Sequence, residues 1–281
     1  NTIILIFLGV AVHLLLPQIA TLEKSINILL KMTYWFVGLA FVMQIISYLG
    51  SGFLLQKTLL LVKNRTSLLR STLIVMGAAS VSMVTGGTVG STAAIFRWTN
   101  TGKENIGGST LASLLPSLFN TLMLVIASIF GIAHLILTHD LSNTQLIGFS
   151  LTLVFLGIII GASFLASHYR NRTLLIVIWI TKSLAIIRKR PFDAEFVRKE
   201  FDIIFLAWDE LWKGKWKTVF IGALLNTTFD MLTLYFIFFA VGNHISFGVL
   251  LSGYALPLLL GKMAFFLPGG VGVVESSMAA L

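Results

Sequence analysis

Long apolar stretches alternate with short polar or basic connections along the whole chain. Runs with almost no charge cover residues 3–16, 34–55, 118–137, 146–166, 219–241 and 247–260. Most of them approach the roughly 20 residues that cross about 30 Å of hydrocarbon. Inside a bilayer every backbone N–H and C=O needs a partner within the protein, so these runs are expected to be helices. The 281 residues are 57% apolar and 11% charged, and the mean hydropathy is +0.94. That balance leaves too little polar surface for a solvated globule. The expected fold class is all-α: a polytopic integral membrane protein with about six or more spanning helices.

The basic residues orient the chain, because short cytoplasmic loops collect Lys and Arg. One such loop holds Lys57, Lys63, Arg65 and Arg70, and a long linker over 167–217 runs from Arg170 and Arg172 to Lys213, Lys215 and Lys217. The connections 139–144 and 242–246 contain neither residue type and are expected outside. The net charge of +9 is thereby assigned to membrane loops, and no nucleic-acid partner is expected.

A parity argument then singles out the segment 68–96. It leaves a basic loop, passes Gly86, Gly87 and Gly90, and arrives at Arg97 and Lys103. The next apolar run must end outside, so both ends of 68–96 are expected on the cytoplasmic side. A re-entrant helical hairpin with the glycines at its tip satisfies this. Near the other end of the chain, Pro268, Gly269, Gly270 and Gly272 interrupt an apolar run entered from the outside loop. Two opposed broken elements form an inverted-repeat arrangement, which in transporters places the substrate site where they meet. One kinked spanning helix at either place is the alternative.

In the linker, the apolar run 174–187 is short of a span and is expected to be interfacial. After Pro191, Val197, Phe201, Ile204, Phe205, Trp208 and Leu211 recur at helical spacing, with charges on the other faces. This spacing predicts an amphipathic helix in the inner headgroup layer, anchored by Trp208, Trp212 and Trp216. The alternative is a helix packed only on protein. The whole of 1–281 is expected to be a single transmembrane domain, with 167–217 as its cytoplasmic linker. The chain starts at Asn1 and stops within an apolar run at Leu281, so sequence is expected to be missing at both ends.

Charged groups in hydrocarbon persist mainly where they pair or line a polar path. Asp230 lies within the 219–241 span, with Asn226 one turn before it on the same face. They are read as the polar wall of a substrate path or, alternatively, as interhelical hydrogen-bonding groups. Lys262 precedes the Pro268 break and Glu275 follows Gly272, so both can face a cavity around that turn. A phosphate would suit Lys262 and the helix N-terminus after Gly270, and Glu275 would suit a cationic headgroup. A simple Lys262–Glu275 salt bridge is the competing reading. Arg97 and Lys103 are expected as anchors at the inner headgroups, and His13 and Gln44 as packing groups within spans.

Motifs of soluble chemistry are missing. There is no G-x-S-x-G, H-E-x-x-H or Walker loop, no cysteine for thiolate metal sites, and neither a cofactor nor a metal is expected. Transport, if that is the activity, must run downhill or on an ion gradient.

The stretch Pro268-Gly269-Gly270-Val271-Gly272-Val273-Val274-Glu275 resembles the P-G-G-x-G-x-x-E signature of the lysylphosphatidylglycerol synthase transmembrane-region family, which includes the flippase part of the bacterial multiple peptide resistance factor. The turn 86–90, followed by Arg97 and Gly102, is similar to that family's first conserved region. The sequence departs from the pattern at Thr85, where a proline often stands, and at Ala93 and Ala94, near the place of a frequent arginine. The resemblance implies a flippase-like transporter of the bacterial inner (cell) membrane, acting on an anionic or aminoacylated phospholipid, such as aminoacylated phosphatidylglycerol, or on a polyisoprenyl-linked lipid. It implies no aminoacyl transfer by this chain, because a fused or separate synthetase domain carries that chemistry. Membrane lipids are the expected partners, and a homodimer is compatible with the sequence. The competing functions are a lipid-modifying transferase with Asp230 or Glu275 as general base and an accessory membrane subunit.

Overall fold

The computed structural model describes residues 28–85, 87–100, 106–138, 164–166, 168–187 and 192–263, with scattered positions in 147–162 and 274–278. Its helices are α1 (Tyr34–Leu61), α2 (Leu68–Val84), α3 (Gly87–Thr99), α4 (Ile106–Thr138), α5 (Arg170–Ile187), α6 (Ala194–Glu210), α7 (Trp216–Ala240) and α8 (Phe247–Met263). A π-helical turn, Leu211–Lys215, joins α6 to α7. No strand occurs among the described residues. Helices α1 and α4 and the stretch Ala194–Ala240 are long and apolar enough to cross a membrane, and α2 and Phe247–Lys262 are shorter apolar helices. The protein is therefore an all-α, polytopic membrane protein, as its hydropathy pattern predicts. The first apolar run with His13, the residue Gly86, and the second turn with Pro268, Gly269, Gly270, Gly272 and Glu275 lie outside the described residues.

Two antiparallel pairs organise the bundle. The Thr33 N–H at the start of α1 donates to the Ala240 carbonyl at the end of α7, at 2.9 Å. Along this pair the backbones come very close: a Cβ on Gly222 would lie 2.8 Å from Leu54 Cα, and one on Gly50 would lie 2.7 Å from the Asn226 nitrogen. Without a hydrophobic drive between helices in lipid, such small-residue contacts hold spans together through dispersion. The second pair is α4 with α8. His134 near the end of α4 meets Gly248 at the start of α8, and Gly131 meets Ser252 one turn further along. Leu124, Met231, Leu250, Tyr254 and Leu259 pack where α4, α7 and α8 meet.

Helices α2 and α3 form a hairpin. Ser67 caps α2 by accepting from the Arg70 N–H, and Thr85 ends it in extended conformation with its hydroxyl on the Val81 carbonyl. Gly87 opens α3 with φ +51, in the left-handed region that costs glycine nothing. At 17 and 13 residues, the arms reach only about 25 and 20 Å. They start and finish at the same end of the bundle, where the Asn64 side chain donates to the Thr99 carbonyl at 3.4 Å.

The linker folds against the same end. Asp193 caps α6 by accepting from the Glu195 and Phe196 N–H groups, which is a usual N-cap exchange. Helix α6 buries Glu200, Phe201, Phe205 and Ala207, and Glu200 accepts a hydrogen bond from the Gly107 N–H in the first turn of α4. A carboxylate there complements the helix dipole. The apolar segment expected over 174–187 is part of an 18-residue helix, α5, which extends back to Arg170. Arg170 pairs with Asp209 and lies over the Phe205 ring, tying α5 to α6.

Candidate functional site

The predicted site residues separate into three places. Asp230 accepts from Gln44 Nε2 at 3.1 Å and from the Tyr254 hydroxyl at 2.7 Å, so one carboxylate joins α1, α7 and α8. Asn226 donates to the carbonyl and hydroxyl of Ser47, and Ser47 donates back to the Asn226 carbonyl. Both groups are thus satisfied between helices. Arg97 is exposed in the last turn of α3, beside Trp98, and lines a groove of about 600 Å³ on the hairpin together with Val81, Thr85 and Val89.

Lys262 occupies a different environment. It lies in the last turn of α8, where a cation is favoured by the helix dipole. Its ammonium donates to Thr121 Oγ1 at 2.8 Å, near the middle of α4. A cavity of about 250 Å³ opens beside it, between α8, the hairpin, α4 and α1. The hairpin contributes Ser82 from the last turn of α2 and Thr88, Ser91 and Thr92 from the first turns of α3. Helix α4 contributes Ser113, Pro116, Ser117 and Asn120, and α1 contributes Ser51.

The hydrogen-bond inventory defines what this cavity can take. Ser82, Ser91, Thr92 and Ser113 each donate to a carbonyl of their own helix. A hydroxyl so engaged still has lone pairs to accept with. Among the described residues the buried Asn120 amide oxygen has no hydrogen-bond partner, a costly condition unless something fills the space. The donors are Lys262, which carries three protons, and the N-terminus of α3, which presents the positive end of its dipole next to Thr88. Pro116, inside α4, lacks the N–H that would bond the Ala112 carbonyl. Acceptors and one cation thus meet at mid-length of a spanning helix. Such a cavity suits a ligand with both an anionic group and a hydroxyl or ammonium group.

Of the predicted residues, the structure brings Lys262 to the first glycine turn, whose Gly87 opens α3. Gly90 maintains that turn, because a Cβ there would sit 2.0 Å from the carbonyl oxygen and the hydroxyl of Thr85. Sequence reasoning missed the hydroxyl groups. The signal for them is spacing: Ser113, Ser117 and Asn120 on α4, and Thr88, Ser91 and Thr92 on α3, each follow the helical period and form a polar stripe. Glu200 was also missed, since its partner lies far away in sequence. Among the described residues no group of His, Asp and Glu could hold a metal ion.

No curated protein and no solved structure matches the chain. A family model described as the lysylphosphatidylglycerol synthase TM region matches residues 4–281. With that match spanning nearly the whole chain, and with a helical membrane fold that agrees with it, the protein belongs to the lysylphosphatidylglycerol synthase transmembrane-region family.

Proposed function

We propose that this chain moves phospholipid between the leaflets of the cell membrane, with the headgroup crossing the hydrocarbon through the Lys262 cavity and the acyl tails staying in the bilayer. The observation that carries the reading is the Lys262 ammonium held among hydroxyls at mid-length of α4. A cation at that depth is costly and is retained mainly along polar paths. Desolvation of the headgroup is the dominant barrier to flipping. A cavity that supplies one cation for the phosphate and several acceptors for the rest of the headgroup lowers it. The substrate on this reading is an anionic or aminoacylated phospholipid, or a polyisoprenyl-linked lipid. The family supports a lipid-related role.

The reading orients the basic end of the bundle towards the cytoplasm. The α2–α3 hairpin then enters and leaves from that side, and α8 descends from the other to meet its tip. No chemical step is assigned to this chain, and a synthetase domain, fused or separate, supplies aminoacylation.

The test is transbilayer movement of a fluorescent phospholipid in liposomes containing the purified protein. Wild type is expected to exceed empty liposomes. Lys262→Ala removes a hydrogen bond to a charged group, worth about 1.5–3 kcal/mol, and is expected to slow movement roughly ten- to hundredfold. Lys217→Ala, in the basic linker, is expected to leave the rate unchanged. Wild type no faster than empty liposomes, or a Lys262→Ala rate equal to wild type, overturns the proposal.

A further inference from the structure

A second cleft lies at the basic end, away from the Lys262 cavity. It encloses about 520 Å³ between the last turn of α1, the helix α6 and the π-helical turn. Its floor is apolar, made by Leu60 and Leu61 of α1 with Ile203, Leu206 and Ala207 of α6. Its rim is basic, made by Lys63, Lys213 and Lys215. We infer that this cleft binds one anionic phospholipid of the leaflet at the basic end, as a stationary lipid distinct from any transported one.

Depth supports this assignment. Helix α1 has 28 residues, about 42 Å at 1.5 Å per residue, so it outruns the roughly 30 Å hydrocarbon and its last turn reaches headgroup level. Trp212 in the π-helical turn and Trp216 directly after it are 53% and 37% exposed. Tryptophan concentrates at the membrane–water boundary.

Backbone geometry aims the cations. Lys63 is a non-glycine residue in the left-handed region, with φ +58, and Gly214 at φ +114 turns the chain between Lys213 and Lys215. Acids do not neutralise the rim. Asp209 is paired with Arg170, and Glu210 serves both Lys213 at 3.6 Å and Lys215 at 2.7 Å. Lys63 has no ion pair among the described residues. Three lysines against Glu210 alone leave an excess of two positive charges on the rim, which complements a phosphodiester. The apolar floor distinguishes a lipid from a soluble anion, and the basic pocket beside a span is a recognised setting for anionic headgroups.

The test is native mass spectrometry of the full chain in detergent, titrated with phosphatidylglycerol or phosphatidylcholine. Wild type is expected to retain one phosphatidylglycerol at least tenfold more tightly than phosphatidylcholine. The Lys63→Ala/Lys215→Ala variant is expected to lose that preference. Leu206 is 65% exposed, so Leu206→Glu leaves the fold intact while placing a repelling charge on the floor, and is expected to abolish retention. In a Lys262→Ala background the two cleft variants are expected to lose the same retention, which separates this cleft from the transport cavity whatever the flipping assay shows. Equal retention of the two lipids, unchanged retention in both cleft variants, or full displacement by equimolar inorganic phosphate overturns the inference.

Discussion

Lys262 and Thr121 are joined by a hydrogen bond of 2.8 Å between the end of α8 and the middle of α4. The contact fixes where the second half of the bundle meets the first. Across from Lys262 stands the tip of the α2–α3 hairpin. One polar contact therefore marks the level at which elements from opposite ends of the bundle converge.

Among the described residues the Thr121 hydroxyl is the acceptor for Lys262. Replacing it, as in Thr121→Val, keeps the shape and removes the oxygen. The expected cost is about 1.5 kcal/mol of stability, at the lower end for a bond to a charged group because the pair is only partly buried. Thermal unfolding in detergent measures it, and Lys262→Met/Thr121→Val is expected to be less than the sum of the single changes.

Asp230 receives one donor from α1 and one from α8, so its loss affects two helix contacts. Asp230→Ala is expected to destabilise by about 1–3 kcal/mol, because Gln44 and Tyr254 lose their acceptor. Tyr254→Phe is expected to cost about 1 kcal/mol. A double-mutant cycle of Asp230→Ala with Tyr254→Phe is expected to show coupling above about 0.5 kcal/mol. Additive effects would show that the hydrogen bond contributes nothing.

Gly90 accepts no side chain without moving Thr85. Gly90→Val would place Cβ 2.0 Å from the Thr85 carbonyl oxygen and force the hairpin turn apart. Expression with a lowered melting temperature, and lipid movement at the rate of empty liposomes, are the expected results. Ala93→Val, three residues on and exposed, is expected to change neither.

The Glu210 carboxyl is held below its ordinary range, chiefly by the hydrogen bond from Lys215 and then by the charges of Lys215 and Lys213. A folded value below the unfolded one means that the pairing is fully present above the unfolded value, about 4.3. It is lost as pH falls through the folded value. Acidification through that window frees both lysines while a phosphodiester stays ionised. Phosphatidylglycerol retention is therefore expected to rise as pH falls through the lowered folded value of Glu210, and Glu210→Gln is expected to show the higher retention already at neutral pH. Native mass spectrometry across a pH series checks both.

Much of the architecture is legible in the apolar runs, because lipid enforces helix wherever the chain crosses it. Helices α1, α4 and α7 occupy the runs expected of them. The site was less legible for a physical reason. Serine and threonine on apolar helices usually bond their own backbone, as Ser91 and Thr92 do with Thr88, so composition does not separate a cavity wall from an ordinary helix face. Asp230 and Asn226 stood out by charge and polarity, yet their partners Gln44 and Ser47 follow from the register between α1 and α7, which no local pattern encodes. Glu200 reads as part of a charged helix face and is instead buried against Gly107, a pairing set by how α6 docks.

The cysteine-free sequence permits the most direct measurement of the path. Ser117→Cys places one thiol on the cavity wall, opposite the hairpin, and lipid movement is followed in liposomes before and after modification by a bulky methanethiosulfonate. The account expects near-normal movement before modification and a fall to the rate of empty liposomes afterwards, restored by reductant. Lipid movement unchanged by complete modification of that thiol would contradict passage through the Lys262 cavity.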